Sequence, residues 1–575
     1  MNFRNPVYTE KTQCQDCYKC VRECPVKAIR VENGHAAVVP ELCVLCGHCV
    51  TVCPAEAKRV RDDLARARQL LTLRERVIVS LAPSFASEFP GLDPRALVGA
   101  IRKLGFFGVS ETAIGADLVS AQTAETLRDA SRDGRLGPLF ISSACPVAVE
   151  YVKRYMDELA PYVSDCASPL LAHARFLAGH FGPSVGVVFV GPCIAKKREA
   201  DVFDGIDCAI SFRDLKRWFA DEGIDPSEGT SCADFIPFRA AKGALYPIDG
   251  GMIASLRKYP SNGRSDMLSV AGLSALEDSL RGLDPATLER PLFVEALACP
   301  GGCVAGPLSS RSAPNAARRI AVIAYSGSAK DTLREARPEM SGSLPATRVA
   351  RPTLGEDVLR AALRLVGKAS VEDELNCGGC GYDTCRGFAA AMLEERAEKT
   401  MCVSYMRKLA QKKANGLIRA IPSGVVICDS ALRVIECNEN FAILMGEEVV
   451  AMYDAKPGLE GADLSRITAL SSLFRTVMEE GGPDSVEHEV REGRKIFHAT
   501  VFSIEKGDSA CGVVQDVTAP QIRKDRVIRQ AKRVIDKNLA VVQKIAFLLG
   551  ENAAETESTL NSIIESFSGG EEGVE

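Results

Sequence analysis

A cysteine spacing that occurs twice near the start of the chain constrains it more than any other feature. The pattern is Cys-x2-Cys-x2-Cys-x3-Cys-Pro, and its eight cysteines are Cys14, Cys17, Cys20, Cys24, Cys43, Cys46, Cys49 and Cys53. Disulfides do not explain the 22 cysteines of the chain, because a reducing compartment is expected for it. Zinc is the alternative for an isolated Cys-x2-Cys pair, but these runs are longer than zinc needs. The spacing therefore predicts metal clusters.

This doubled run, at roughly residues 5 to 60, resembles the bacterial two-cluster ferredoxins. In that family the fourth cysteine of each run binds the cluster of the other run. The resemblance implies a ferredoxin-like domain at 1–60 with two 4Fe-4S clusters, one held by Cys14, Cys17, Cys20 and Cys53, the other by Cys43, Cys46, Cys49 and Cys24. Short strands at 26–31 and 35–39 are predicted around the Asn33-Gly34 turn.

Length and charge limit the remaining possibilities. A chain of 575 residues is too long for one core and predicts three to five domains. A formal net charge of -5 gives no reason to expect nucleic acid as a partner. The first 30 residues lack the apolar stretch of a signal peptide, and no run of 18 apolar residues occurs. We therefore expect a soluble, cytoplasmic protein without a membrane segment.

Residues 77–330 alternate between apolar strand-like runs and helical patterns, after an Arg-rich stretch at 58–76 that predicts a helical connector. Strands are predicted at 76–83, 185–190 and 291–296, and helices at 95–104 and 214–221. This alternation indicates an α/β domain with ligand-binding loops at its strand ends.

Three loops of this region place cysteine beside proline. Their cysteines are Cys145, Cys193, Cys299 and Cys303. The last two are separated by Pro300-Gly301-Gly302, and glycines let the backbone bend closely around a cluster. The loops are expected to converge on one inorganic cofactor.

These loops resemble the three active-site signatures of the iron-only (FeFe) hydrogenases. The signatures are 140–146, Pro192-Cys193-x-x-Lys196-x-x-Glu199 and Glu295-x-x-Ala298-Cys299-x-x-Gly302-Cys303. The resemblance implies an FeFe-hydrogenase α/β domain at 77–330 with an H-cluster, a 4Fe-4S cubane joined to a two-iron subsite that carries carbonyl and cyanide. It makes Cys145, Cys193 and Cys299 cubane ligands and Cys303 the bridging ligand. Lys196, expected to donate to a cyanide, and Glu199 are the candidate catalytic residues.

Three positions depart from the family pattern. Ala144 stands where active hydrogenases have a proton-shuttling cysteine, and a methyl group cannot titrate. Gly191 and Leu297 stand where the family has methionines, which changes the polarity and access around the two-iron subsite. Slow turnover is expected, whereas cluster binding is not in doubt.

Residues 305–355 are rich in Ser, Pro, Ala and Arg, which predicts a linker or a poorly packed extension. A third cysteine set follows, and it consists of Cys377, Cys380, Cys385 and Cys402. Its spacing suits a third 4Fe-4S cluster, with a helix over 386–398 returning the fourth thiolate, and zinc is the alternative. The set resembles the small, helical 4Fe-4S domain attached to sensor and electron-transfer proteins, here expected at 355–405.

The rest of the chain has no cluster motif. Stretches at 421–429, 434–441 and 512–518 resemble a PAS domain, an α+β fold with a five-stranded antiparallel sheet, expected at 412–520. Residues 521–575 carry a heptad-like apolar stripe that predicts a dimerisation or output helix, with an internal packing helix as the alternative. No histidine lies between 499 and 575, so this helix is not a phospho-accepting kinase helix.

These features favour a hydrogen or redox sensor. In this hypothesis an H-cluster-type site passes electrons through three 4Fe-4S clusters to a PAS module. The expected partners are hydrogen or protons, a ferredoxin-like redox protein, a downstream signalling protein and a second copy of the chain. The alternatives are a catalytic, ferredoxin-linked hydrogenase and an electron-transfer scaffold without the two-iron subsite.

Overall fold

The computed structural model describes residues 5–517 except 133–136, 229–232, 260–264, 328–338, 351, 353 and 493–494, and also describes 532–535 and 537–538. It divides into two compact units, Met1–Met401 and Cys402–Glu575. This division falls inside the 4Fe-4S domain predicted at 355–405. The predicted tail helix lies largely outside the described residues. Within the described part, no helix is long and apolar enough to cross a membrane.

The strands and helices of the first unit alternate along most of its length. Its strands are β1 (Val7–Thr9), β2 (Ile29–Glu32), β3 (His35–Val38), β4 (Lys58–Val60), β5 (Val77–Leu81), β6 (Gly108–Glu111), β7 (Leu139–Ile141), β8 (Gly186–Val190), β9 (Cys208–Ile210), β10 (Asp266–Ala271) and β11 (Leu292–Leu297). Its helices are α1 (Lys19–Arg22), α2 (His48–Val52), α3 (Leu64–Leu73), α4 (Phe85–Glu88), α5 (Pro94–Lys103), α6 (Thr112–Arg132), α7 (Pro146–Tyr155), α8 (Pro169–Phe181), α9 (Ala195–Val202), α10 (Phe212–Asp221), α11 (Gly251–Leu256), α12 (Leu273–Leu280), α13 (Asn315–Gly327), α14 (Glu356–Arg364) and α15 (Cys385–Leu393). Short 3-10 helices span Lys11–Gln13, Ala160–Tyr162, Pro226–Glu228, Lys242–Leu245, Pro285–Thr287, Cys303–Ala305 and Lys399–Met401.

Two parallel sheets form the centre of this unit. One has the order β6-β5-β8-β9 and the other the order β10-β11-β7. Every residue of β5 and β8 is buried, which explains their almost unbroken apolar sequence, since parallel strands are covered on both faces. The α/β prediction and its three strands are confirmed, and the predicted helices appear as α5 and α10.

The ferredoxin-like part contains two antiparallel pairs, β1-β4 and β2-β3. The β2-β3 hairpin turns at Asn33-Gly34 as predicted. The predicted helical connector at 58–76 is wrong at its start, because Lys58–Val60 is β4 and only Leu64–Leu73 is helical. Lys58 is buried and donates to Thr9 Oγ1 and to the Ala36 carbonyl, both at 2.6 Å. These bonds and the pairing with β1 outweigh the local helical preference.

The prediction of a linker or a poorly packed extension at 305–355 is wrong for residues 315–327. Residues 315–327 form α13, whose Val322 is fully buried. Arg318 is buried as well and donates to the Val304 carbonyl at 2.8 Å. Tyr325 donates to Glu111 Oε1. Because these side chains recur at helical spacing, one face of α13 packs although the composition is that of a loop.

The second unit is built on one antiparallel sheet with the order β13-β12-β16-β15-β14. Its strands are β12 (Gly424–Asp429), β13 (Val434–Cys437), β14 (Ser485–Glu492), β15 (Lys495–Glu505) and β16 (Ser509–Asp516). Its helices are α16 (Val403–Ala420), α17 (Glu439–Met445), α18 (Glu447–Ala455), α19 (Leu464–Ile467) and α20 (Ser471–Met478). The predicted five-stranded antiparallel sheet is therefore found.

Asn438 joins α16 to this sheet. It is fully buried, and its side-chain oxygen accepts from the backbone N–H of Val425 and Phe441 at 2.8 and 2.9 Å. Its amide nitrogen donates to the Ser423 and Ile418 carbonyls at 2.8 and 2.9 Å. One polar side chain thereby satisfies backbone groups of the helix end, the first strand and α17.

A buried ion network ties the segment after β4 to the α/β domain. Lys197 donates to Asp63 Oδ2 and to the Ala209 carbonyl, each at 2.8 Å. Arg61 Nε lies 2.9 Å from Asp63 Oδ1, and Arg61 Nη1 lies 2.8 Å from Asp201 Oδ2. Buried charges of this kind are stable only as a complete set.

We predict that Lys197→Met destabilises the protein by about 3 to 5 kcal/mol, because Asp63 loses a buried partner. Thermal unfolding followed by circular dichroism measures the effect as a lower midpoint. The exposed Lys11 offers a control, Lys11→Met, expected to melt like the parent protein. Equal midpoints for both variants would contradict the proposed role of the network.

Candidate metal centres

Four cysteines of the α/β domain lie at the carboxyl ends of parallel strands. Cys145 follows β7 and precedes α7, Cys193 lies between β8 and α9, and Cys299 and Cys303 follow β11. Strands of both sheets contribute, and such edges are where open α/β sheets place their ligands. The fold thus positions three loops that are far apart in sequence.

The structure brings these four cysteines within electrostatic range of one another. Burial, followed by repulsion from Cys145, raises the pKa of Cys193 to about 11. Burial also raises the pKa of Cys303, with Cys145 and Cys193 adding to the effect. Burial raises the pKa of Cys299 as well, and Cys303, Cys193 and Cys145 add to this effect. Four crowded thiolates need cations between them, and the irons of a cluster would supply these.

The loop between Cys299 and Cys303 depends on its two glycines. Gly301 and Gly302 have φ of +82° and +87°, a region that side chains disfavour. A Cβ on Gly301 would lie 2.0 Å from Asn315 Nδ2, and one on Gly302 would lie 2.2 Å from the Pro247 carbonyl oxygen. The donor set and this tight backbone both fit a cluster-binding loop.

Lys196 and Glu199 form a buried pair beside this centre. Lys196 Nζ lies 2.5 Å from Glu199 Oε2 and 3.2 Å from Ser168 Oγ. Burial raises the pKa of Cys193 and of Cys303, and the positive charge of Lys196 offsets part of both shifts. Glu199 and Ser168 hold the ammonium group in place, so Glu199 acts on the centre through Lys196.

Glu295, from the third signature, orders the same region. Its carboxylate accepts from the backbone N–H of Met252 at 3.2 Å and of Ile253 at 3.1 Å, at the start of α11. Burial raises the pKa of Glu295 to about 7. The bonds fix β11, and hence the loop that carries Cys299, against α11.

The cysteines of the ferredoxin-like part form two groups. Cys20 lies within electrostatic range of Cys14, Cys17 and Cys53, whereas Cys49 lies within range of Cys46, Cys43 and Cys24. Burial raises the pKa of Cys20 to about 11 and that of Cys46 to about 12. The groups are those of the crossed ligand pattern implied by the ferredoxin resemblance.

The second group adjoins the centre of the α/β domain. A Cβ on Gly47, the residue after Cys46, would lie 2.6 Å from Cδ1 of Ile194, the residue after Cys193, and Cys46 adds to the upward pKa shift that burial gives Cys299. Arg154 Nη1, on α7, donates to the Cys43 carbonyl at 3.1 Å, and the Tyr155 hydroxyl donates to the Leu42 carbonyl. Sequence reasoning missed these docking residues, because nothing local distinguishes them from other helix side chains.

Three of the four cysteines in the third set belong to the first unit, and the fourth belongs to the second unit. Cys377 is exposed, whereas Cys380 and Cys385 are buried. Cys385 begins α15, and its N–H donates to Asn376 Oδ1 at 2.7 Å. Cys402 is the first residue of the second unit and precedes α16. The predicted helix at 386–398 is found as Cys385–Leu393.

No group of three or more His, Cys, Asp or Glu side chains among the described residues is arranged to hold one metal ion. In a cubane each cysteine binds a different iron atom, so its ligands stand farther apart than those of a single ion.

The three altered positions surround the α/β centre. Ala144 directly precedes Cys145 and is half-buried, and Leu297 is buried at the end of β11. A Cβ on Gly191 would lie 2.5 Å from Cζ of Phe189 and 2.8 Å from Cβ of Ala82. The Phe189 ring thus fills the space that a side chain at 191 needs. The period-2 pattern of β8 could have indicated this, since residues 189 and 191 share a face.

We predict that Gly191→Met lowers the thermal unfolding midpoint by overpacking, at a cost of about 1 to 3 kcal/mol. Adding Phe189→Ala should restore part of the lost stability, because it removes the ring that a side chain at 191 meets. Gly179→Ala, in α8 with open space at its Cβ, is the control and should not lower the midpoint. A Gly191→Met variant as stable as the parent would contradict the role of Phe189.

Known families match three parts of the chain. Residues 75–307 match the iron only hydrogenase large subunit, C-terminal domain. Residues 6–57 match a 4Fe-4S dicluster domain, and residues 373–404 match an Fe-S cluster family.

Two curated relatives are similar to this chain. The periplasmic Fe hydrogenase large subunit of Nitratidesulfovibrio vulgaris is 26% identical over 361 residues, which are 52% of this chain and 85% of the relative. Iron hydrogenase 1 of Clostridium pasteurianum is 25% identical over 300 residues, 43% of this chain and 52% of the relative. The match thus spans about half the length of the second relative.

Two solved structures match this chain at low similarity. An FeFe-hydrogenase from Chlamydomonas reinhardtii has a TM-score of 0.39 and 22% identity, covering 48% of this chain and 91% of that chain. The PAS domain of BvgS from Bordetella pertussis has a TM-score of 0.14 and 16% identity, covering 23% of this chain and 98% of that chain. On the family matches, this chain is an iron-sulfur protein that carries a large-subunit domain of the iron-only hydrogenase family together with 4Fe-4S domains.

Proposed function

We propose that this protein is a hydrogen or redox sensor. The observation that carries the proposal is Ala144, which precedes the first cysteine of an otherwise complete ligand set. The centre keeps its four cysteines and the buried Lys196, but the side chain next to Cys145 cannot accept or donate a proton. A centre of this kind suits detection better than fast turnover.

In this proposal Cys145, Cys193, Cys299 and Cys303 would together hold an H-cluster. The bound H-cluster would supply the interconversion of hydrogen with protons and electrons. Lys196 provides a fixed positive charge for an anionic ligand of the subsite, and Glu199 positions it. The glycines of the Cys299–Cys303 loop allow the backbone to approach the cluster closely.

The proposed electron path begins at the cysteines of the α/β domain. The close packing of Gly47, next to Cys46, against Ile194, next to Cys193, supports transfer between the H-cluster site and the group of Cys24, Cys43, Cys46 and Cys49. Three 4Fe-4S clusters in all are part of the proposal.

The second unit is proposed to be a PAS module that reports the state of the clusters. Its five-stranded antiparallel sheet with helices between β13 and β14 supports this assignment, as do the sequence stretches at 421–429 and 512–518. A ferredoxin-like redox partner, a downstream signalling protein, a homodimer and a cytoplasmic location complete the proposal.

A catalytic hydrogenase is the second candidate. The intact cysteine set and the buried Lys196–Glu199 pair, 2.5 Å apart, favour it, because both are machinery that turnover would require. The two relatives described above are themselves named hydrogenases. In this case the PAS module serves assembly, and electrons leave to ferredoxin.

Infrared spectroscopy of the protein loaded with matured cofactor tests the centre first. We expect bands of iron-bound carbonyl and cyanide. Their absence, with iron and sulfide present, would favour the scaffold without a two-iron subsite. Hydrogen evolution comparable to that of active hydrogenases would favour the catalytic candidate.

We predict that Ala144→Cys raises hydrogen turnover by about 10²- to 10⁴-fold, the range that a positioned proton donor contributes. Hydrogen evolution with a chemical reductant measures it, and Ala144→Ser is the control because a hydroxyl titrates far outside the working range. An unchanged rate, with infrared bands like those of the parent, would mean that the missing thiol does not limit turnover.

A further inference from the structure

The third cysteine segment packs closely against the ferredoxin-like part of the first unit. Gly381 has a φ of +93°, and a Cβ there would lie 2.9 Å from Val21 Cγ1 and 3.1 Å from the Arg22 backbone nitrogen. The backbone between Cys380 and Cys385 therefore rests directly on α1, and glycine is required for this approach.

Hydrogen bonds hold this contact from both sides. Lys27 Nζ donates to the Gly381 carbonyl at 2.9 Å and to the Arg22 carbonyl at 3.0 Å. In return, Arg396 Nη1 donates to the Lys27 carbonyl at 3.0 Å, and the Val31 N–H donates to the Arg396 carbonyl at 3.0 Å. The two segments form a built interface.

Tyr382 lies inside this interface. Its side chain is 4% exposed, and its hydroxyl has no hydrogen-bond partner among the residues that the structure describes. Cys380, Glu394 and Cys24 lie within electrostatic range of that hydroxyl, and so does Arg396. A buried hydroxyl is expected to find a partner. Because the Glu394 carboxylate already accepts from Arg396 Nε at 2.7 Å, the sulfur atoms at the two cysteines are the acceptors left to the hydroxyl.

We propose that the Tyr382 hydroxyl donates a hydrogen bond to a sulfur of one of two clusters, either the cluster at Cys380 or the cluster at Cys24, and that these two clusters exchange electrons across this interface. The inference rests on the proposed function in one respect, namely that both cysteine sets hold 4Fe-4S clusters. It makes the group of Cys24, Cys43, Cys46 and Cys49 a junction, since Gly47, next to Cys46, packs against Ile194, next to Cys193. Tyr382 is a positioning residue that sets the potential of a cluster.

Hydrogen bonds to cluster sulfurs help set the reduction potential, and a donor stabilises the more negative, reduced form. The first test is therefore Tyr382→Phe in the full chain with reconstituted clusters. At fixed potential we expect the reduced-to-oxidised ratio of one of the two clusters to fall about fivefold to tenfold, where tenfold corresponds to 59 mV for one electron. Redox titration monitored by electron paramagnetic resonance measures this ratio, and Tyr162→Phe is the control.

The second test uses the interface itself. In the fully reduced parent protein, magnetic interaction between the two clusters should broaden their resonance signals. Gly381→Ala should weaken that interaction, because the added methyl group meets Val21 and the Arg22 backbone. Gly367→Ala is a matched control, since Gly367 also has positive φ, +72°, but open space at its Cβ.

The outcomes separate this inference from the proposed function. If iron analysis and resonance signals show both clusters, but Tyr382→Phe titrates like Tyr162→Phe, the proposed bond is overturned and the cluster assignment stands. If both glycine variants keep the broadening, the electronic contact is overturned. If the parent protein binds no cluster at Cys377, Cys380 and Cys385, the proposed function fails and this inference fails with it.

Discussion

Crowding of thiols is the constraint on which the first unit depends. Strand ends of two parallel sheets bring Cys145, Cys193, Cys299 and Cys303 together, and burial, followed by the charges of neighbouring thiols, raises the pKa of Cys193, Cys299 and Cys303. Such a group is unfavourable as bare thiolates and favourable around cationic iron. The fold therefore prepares a site whose stability depends on what it binds, as in other small metal-dependent structures.

The same constraint explains where the backbone is unusual. Gly301 and Gly302 adopt positive φ where the Cys299–Cys303 loop meets Asn315 and Pro247. Gly381 does so where the third cysteine segment meets α1. In each case a cluster-binding loop approaches other backbone or side chains too closely for a Cβ. The cluster loops are thus also the contact points between the parts of the first unit.

The surroundings of the α/β centre depart at three positions from the pattern expected of active hydrogenases. Ala144 removes a titratable group, while Lys196 keeps its partners Glu199 and Ser168. The glycine at 191 does not leave an open space, because the Phe189 ring occupies the position that a side chain at 191 would take. A buried positive charge is therefore retained, the side chain beside Cys145 is not titratable, and the Phe189 ring packs against position 191. This combination is the basis of the proposed sensing role.

Local spacing was sufficient to predict the cysteine runs at 14–53 and 377–402, whereas the convergence of Cys145, Cys193, Cys299 and Cys303 was expected because three distant loops resemble known signatures. The five-stranded sheet of the second unit was expected from the resemblance to PAS domains. Periodicity identified β5, β8 and β11, since buried strands carry apolar runs. It failed for Lys58–Val60 and for α13, where long-range partners outweighed local composition. The period-2 pattern of β8 places residues 189 and 191 on one face, but only the tertiary structure shows that the Phe189 ring fills the space at 191. Only the tertiary structure could reveal that the Gly381 backbone packs against Val21 and Arg22, because that contact joins residues far apart in the chain and leaves no local signal.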